Sequence, residues 1–335
     1  MGEKQIADSN GAAAKPIRTA VVGLNMGSAH AHAYRMSSQS ELRWVVDLDE
    51  ERAASMAEQL GCGYTTDWRR VLEDDVDAVS LATPHHLHAP MALEAIAAGK
   101  HILMEKPLAN SEADCLKLIE AAERQGVVLM LAYIVRYRPA VQLLRALIES
   151  EQYGKPFSAN CWVEGYLPPQ PPESWFSRQE TLGGGVLYSH GCHYIDLLLS
   201  LFGTPVQAKG LGTRSGTEWL EGEGTHHSIL KFEGGAVAHL AASWGMKFRD
   251  TPALLHLHTP EACLVLSGNK LEVITQEGRK TLYEPEGPVD GNARALGEVE
   301  HFLACIRTGR RPLTDGAEAL KSHRLIWDLY AEQRL

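Results

Sequence analysis

The stretch His101-Ile-Leu-Met-Glu-Lys-Pro107 decides how this chain is read. Ile102 to Met104 is a short apolar run of strand type, ending in two opposite charges and a proline that has no N–H with which to continue a ladder. In a protein of alternating strands and helices, a lysine at the carboxyl end of a strand lies in the crevice where open sheets hold ligands. Lys106 is therefore the first candidate for contact with a substrate, and Glu105 beside it a candidate for the cofactor's edge. Taken alone, Glu-Lys-Pro reads more readily as a solvated surface turn, so the flanking sequence carries the decision.

Upstream, Ile17 to Gly23 (IRTAVVG) is a buried-strand pattern and Ser28 to Met36 a helix. The turn between them reads Gly23-Leu-Asn-Met-Gly27. A dinucleotide loop wants G-x-G-x-x-G, whose glycines let the backbone approach a pyrophosphate at a helix N-terminus. Here one glycine is missing and the loop is one residue short. Asn25 is the expected stand-in, since asparagine tolerates positive φ better than other non-glycine residues, and Met26 completes the candidate cradle. The next strand, Leu42 to Val46, ends at Asp47, 24 residues after Gly23. An acid there accepts from an adenosine ribose and repels a 2′-phosphate, which favours NAD, while Arg43 and Arg52 leave NADP open. Asp49 is placed to cap the helix Glu50 to Leu60.

A further unit runs from Asp67, opening a short helix, through the strand Ala78 to Ala82. Its tip, Thr83-Pro84-His85-His86-Leu87-His88, precedes a helix Pro90 to Ala98. Thr83, Pro84 and His88 are expected at the cofactor's edge; the histidine spacing lacks the i,i+4 pair of a helical metal site, so no metal is expected. After the central stretch, Ser111 opens a helix to Gln125 that Gly126 ends, and Val127 to Ile134 is another apolar strand.

Composition bounds what such a chain can do. With 335 residues, 44% of them apolar, it is long enough for two cores. A formal charge of −10 without a basic run argues against nucleic acid or anionic membrane as partner and points to a small molecule. Six cysteines without a Cys-x-x-Cys suit free thiols in a reducing compartment, and the absence of a leader-like start or an 18-residue apolar run agrees with a cytoplasmic protein. Residues 1–16 read as a loose tail.

The ordered set VVGLNMG, VVDLDEERA, VDAVSLATPHHLHAPMALEAIAAGKHILMEKPLA and GGGVLYSHGCHYIDLLLSLFG resembles the Gfo/Idh/MocA family of nicotinamide-dependent oxidoreductases, from Ile17 onward. The resemblance implies a Rossmann domain with a doubly wound parallel sheet (17–134), then a domain with an open, mainly antiparallel sheet and helices (135–335). It also implies that Lys106 meets the reacting substrate oxygen beside the nicotinamide, and that the catalytic base is His193. Where the family pattern has aspartate, four residues before that histidine, this chain has Ser189, so the usual Lys-Asp-His arrangement is incomplete; His190 or Tyr188 is expected to compensate.

The second half fits independently. Arg138 to Ser150 reads as a helix and Lys155 to Gly165 as a strand. The loop Leu167 to Gly185, with four prolines, Trp175 and Phe176, is long enough to cover a substrate. Val186 to Leu201 reads as one helix with His190, His193 and Asp196 three apart on a shared face, and Tyr133 and Arg136 are placed to line the cleft. Val206 to Glu284 is strand and turn, with a hairpin at Glu233 to Gly235; helices Ala293 to Arg307 and Ala317 to Glu332 finish the chain. Histidine is a usual proton acceptor near neutral pH, and a lysine stabilises a developing alkoxide. The reading is an NAD-dependent oxidoreductase for a secondary alcohol of a sugar, polyol or related cyclic compound, working as a homo-oligomer. Two alternatives stand: a lyase or glycosidase using tightly bound NAD for transient oxidation, and a regulatory protein that binds dinucleotide without turnover.

Overall fold

A computed structural model describes residues 15–331 apart from 74, 249, 251–252 and 288–290. Most of the expected tail, residues 1–14, and the expected helix end at Glu332 lie outside the described residues. The first half contains β1 (Ile17–Val22), α1 (Ser28–Met36), β2 (Ser40–Val46), α2 (Glu50–Leu60), β3 (Gly63–Thr65), β4 (Ala78–Leu81), α3 (His85–Ala97), β5 (His101–Met104), α4 (Glu112–Gln125) and β6 (Leu129–Leu131). Its six strands pair in parallel in the order β3-β2-β1-β4-β5-β6. That is the doubly wound order whose direction reverses between β1 and β4, the place where such sheets hold ligands. The central strands β4 and β5 are short, almost wholly buried apolar runs, as a sheet covered on both faces requires.

Helix ends follow the local chemistry of the sequence. Asp49 caps α2 by accepting from Arg52 N, and Ser111 caps α4 by accepting from Asp114 N. Gly61 and Gly126 close the same helices in the left-handed conformation. Two boundaries in this half differ from the sequence reading by more than two residues. Helix α3 begins at His85, with Pro90 inside it, so the three histidines lie on a helix and not on a loop. Strand β6 stops at Leu131, because Leu131 N already donates to Thr314 O and the chain then turns into a 3₁₀ segment, Ile134–Tyr137.

The second half contains α5 (Pro139–Glu149), β7 (Ser158–Glu164), α6 (Gln179–Leu182), α7 (Cys192–Phe202), β8 (Pro205–Thr213), β9 (Thr225–Phe232), β10 (Val237–Ser243), β11 (Leu255–His258), β12 (Cys263–Ser267), β13 (Lys270–Thr275), β14 (Gly278–Tyr283), α8 (Leu296–Thr308) and α9 (Gly316–Ala331). Its eight strands run β14-β13-β12-β11-β7-β10-β9-β8, all neighbours antiparallel except β7 with β10. Alternation is visible in β9, whose inward residues His226, Ser228, Leu230 and Phe232 are buried while Ile229 between them is exposed. Helix α8 leaves this sheet and packs Val299, Phe302 and Leu303 into the core of the first one. Among the described residues no helix is long and apolar enough to cross a membrane.

Helix α9 reaches the central stretch through His323, which is fully buried. Its Nδ1 donates to Ala319 O at 2.7 Å and its Nε2 accepts from Leu108 N at 3.0 Å, a pattern only the neutral ring satisfies. Burial, chiefly, pushes its pKa down to about 4. The unfolded chain therefore binds this proton between pH 6.5 and 4 while the folded chain does not, so stability falls as pH drops through that window. His323→Gln should remove a slope of roughly 1.4 kcal/mol per pH unit from the stability profile there; chemical denaturation of both proteins from pH 7 to 4 checks this, and parallel profiles would contradict it.

Candidate functional site

The cradle at the switch point is built from glycines where nothing larger fits. Gly23 has φ +86°, and a Cβ there would stand 2.4 Å from Ala82 O at the tip of β4. A Cβ on Gly27 would stand 2.2 Å from Gly23 O and 2.8 Å from Val21. Asn25 does not adopt the positive φ expected of it: Gly23 makes that turn, and the shortened loop closes with Ser28 Oγ donating to Asn25 O at 3.0 Å. Asn25 and Met26 are exposed on the loop, and α1 begins at Gly27 without a side-chain cap, leaving N–H groups free for an anion. Asp47 at the tip of β2 accepts from Leu24 N at 2.8 Å and from Asp49 N at 3.0 Å, so its carboxylate is fixed against the loop. Arg52 pairs with Asp47 at 3.2 Å and with Asp49 at 3.0 Å. On the β4 side, the Thr83 hydroxyl is buried without a partner. A buried orphan hydroxyl, a helix N-terminus without a cap and glycines that keep the space open together fit a bound dinucleotide.

The other tip residues take different positions. His88, expected at the cofactor's edge, is completely buried, its Nδ1 2.6 Å from Pro107 O and its Nε2 2.8 Å from Thr83 O. It stands between the β4 tip and the Glu-Lys-Pro turn, its single N–H donating to one of the two carbonyls, and has no nitrogen open to a ligand. His85 uses Nδ1 on Leu182 O at 2.8 Å, and Trp175 packs edge-on against its ring at 5.0 Å. The long loop is thereby seated on the start of α3, behind Pro84.

Lys106 bridges the two halves. Half-buried at the tip of β5, it donates from Nζ to the backbone carbonyl of Ser189 at 2.8 Å. Ser189 lies in a π turn, Leu187–Gly191, which precedes α7, so the single helix expected over 186–201 is in fact two differently wound segments. The partner that Ser189 offers Lys106 is thus its main-chain oxygen. Tyr188, one of the two residues expected to compensate for the missing aspartate, is fully buried with its hydroxyl on Ala109 O. His190 and His193 are half-buried. Burial, and after it the charge of Lys106, pushes the His190 pKa down to about 4 and holds His193 well below the ordinary histidine value. Both rings are neutral at pH 7 and able to accept a proton. His193 Nδ1 has no hydrogen-bond partner, and its ring stands edge-on over Tyr133 at 5.9 Å.

Asp196 does not join the histidines. It is fully buried and bound by Arg136 through two contacts of 2.6 Å, and burial lifts its carboxyl to about 6 against the pull of that guanidinium. Arg136, expected to line the cleft, has its fork on Asp196, and Tyr133 lies buried beneath His193. Sequence reasoning missed His30 and Glu298, and gave Glu105 no partner: His30 is buried with Nε2 3.4 Å from Glu298 and 3.6 Å from Glu105. Burial opposes charge on His30, but the two carboxylates outweigh it and raise its pKa. No local signal could have joined residues so far apart in the chain.

Fold and cradle together define a Rossmann-type dinucleotide-binding protein with a lysine at the junction of its two sheets. Residues 17–133 match the Gfo/Idh/MocA oxidoreductase family with its NAD-binding Rossmann fold, and residues 141–280 match that family's C-terminal domain. The chain belongs to the Gfo/Idh/MocA family of NAD-binding oxidoreductases. It is 31% identical to the 1,5-anhydro-D-fructose reductase of Ensifer adhaerens over 83% of this chain and 84% of that protein. It is 29% identical to the levoglucosan dehydrogenase of Pseudarthrobacter phenanthrenivorans, over 72% and 71%. A solved levoglucosan dehydrogenase, in complex with NADH and levoglucosan, shares the fold with a TM-score of 0.84 at 23% identity, covering 95% of this chain and 98% of that one.

The fixed Asp47 carboxylate makes a specific expectation. Asp47→Ser should lower the ratio of NAD to NADP affinity by about tenfold, or about 1.4 kcal/mol. Fluorescence titration with both dinucleotides measures it, and an unchanged ratio would show that the carboxylate serves only the loop.

Proposed function

We propose that this protein oxidises, or in reverse forms, a secondary alcohol of a sugar, polyol or related cyclic compound, using NAD. The observation that carries the reading is the Lys106 ammonium at the β5 tip, held 2.8 Å from the Ser189 carbonyl, beside two histidines kept neutral by burial and, after it, by that charge. Gly23, Asn25, Met26 and Gly27 hold the pyrophosphate, Asp47 the adenosine ribose, and Thr83, Pro84 and Glu105 border the nicotinamide end. Bound NAD supplies the acceptor for the hydride that leaves the substrate carbon.

The chain's own groups do the rest. Lys106 donates a hydrogen bond to the substrate oxygen and stabilises the negative charge that grows on it as its proton leaves. His193 takes that proton. Its low pKa means that the proton does not stay: a buried imidazolium beside an ammonium is unfavourable, so the ring passes the proton on to water. His190, neutral as well, is the second group able to accept from a substrate hydroxyl. The family similarity to enzymes of anhydrosugars supports a neutral, ring-shaped substrate. The outer face of the eight-stranded sheet, where Leu211, Ile229 and Val237 are exposed, is where a second copy of the chain would pack.

The test is incubation with NAD and a panel of sugars, anhydrosugars and cyclic polyols, following NADH absorbance. Lys106→Ala should lower turnover of the best substrate by about two to four orders of magnitude while NAD affinity changes little. Loss of NAD binding with no separate loss of turnover would assign the lysine to structure.

A further inference from the structure

The π turn that offers its Ser189 carbonyl to Lys106 follows the run Gly183-Gly184-Gly185, and its leading N–H groups have no partner within the helix. Two residues remote in sequence supply the partners. The Glu223 carbonyl accepts from Val186 N at 2.8 Å, and one oxygen of its carboxylate accepts from Leu187 N at 3.0 Å. The Tyr330 hydroxyl accepts from Gly185 N and Tyr188 N, both at 3.1 Å, and donates to that same carboxylate oxygen at 2.7 Å. The glycines make this approach possible: a Cβ on Gly185 would stand 2.2 Å from the Glu223 carboxylate, and one on Gly184 2.8 Å from the Tyr330 ring. Four consecutive N–H groups, 185 to 188, are thus satisfied by a single acid and a single phenol.

We propose that Glu223 and Tyr330 are positioning residues for Lys106: they fix the π turn, the turn fixes the Ser189 carbonyl, and the carbonyl aims the ammonium. The inference rests on the reading of Lys106 given above. Glu223 is 1% exposed, and it sits at the N-terminal end of the helical run formed by the π turn and α7, where negative charge is favoured. Burial pushes its carboxyl up to about 7, against the Tyr330 and Leu187 hydrogen bonds. The titratable groups facing it are Tyr330 from α9 and, behind that ring at 6.2 Å, His226 from β9. As pH rises through 7 the carboxylate forms and grips the turn more firmly, so kcat should rise with it.

The full chain and its variants Glu223→Gln, Tyr330→Phe and Lys106→Ala provide the test. Without ligand, amide hydrogen exchange at 185–188 should speed up by about tenfold or more in Tyr330→Phe, while NAD affinity stays within about threefold of wild type. With NAD and levoglucosan, or whichever panel compound turns over fastest, both cap variants should lose about tenfold in kcat with KM little changed. Glu223→Gln keeps an acceptor and guards against simple loss of fold; it should also abolish the rise of kcat through pH 7. Unchanged exchange in Tyr330→Phe, or a wild-type pH profile in Glu223→Gln, would overturn the proposal. Should Lys106→Ala keep full turnover, the functional reading fails by itself. Exchange, and the Lys106–Ser189 separation in a crystal of Tyr330→Phe, then decide the positioning claim: a lengthened contact supports it and an unchanged one overturns it.

Discussion

One hydrogen bond joins the chemistry of the two sheets: the Lys106 ammonium on the Ser189 carbonyl. The lysine comes from the tip of a buried parallel strand and the carbonyl from a π turn leading into α7, so neither half of the chain contains the arrangement alone. A cation at such a junction does two things. It offers a fixed donor to an oxygen acquiring charge, and it disfavours protonation of every imidazole near it. His85, His88, His190 and His193 all feel it, after the larger effect of burial.

The surroundings of Lys106 are held by histidines that have no part in proton transfer. His88 packs between the Thr83 and Pro107 carbonyls and donates to one of them, and His323 holds Leu108 N just beyond the proline. The Glu-Lys-Pro turn is therefore gripped from α3 and from α9 together. Arg136 and Asp196 form a separate interior pair with short, two-pronged contacts, although burial still lifts the Asp196 carboxyl to about 6. Beside Lys106 the rings of His190 and His193 are kept neutral, chiefly by burial.

Much of this was legible because it is local. Asp49 and Ser111 announce their helices, Gly61 and Gly126 end them, and the apolar runs 78–81 and 101–104 announce buried parallel strands. Lys106 stands out because a proline stops its strand at the sheet's ligand-binding edge. What the sequence hides are contacts closed over long separations and departures from ideal winding. The 3.6-residue periodicity runs straight through 186–201 and gives no sign that five residues are wound wider. Nothing near Tyr188 says that its hydroxyl turns to Ala109, nor does anything near Glu223 say that it caps a turn 36 residues away. Asn25 shows a different failure. A plausible substitution for a missing glycine was unnecessary, because a shorter loop makes the turn with Gly23 alone.

The central claim is that the lysine ammonium meets the reacting oxygen beside the nicotinamide. A crystal of the protein with NAD and a substrate of the panel tests it most directly. The account predicts the Lys106 nitrogen about 3 Å from the hydroxyl oxygen on the carbon that faces the nicotinamide ring, with a His193 nitrogen within reach of the same oxygen. A lysine directed into solvent, or a bound sugar held without any contact to it, would contradict the account.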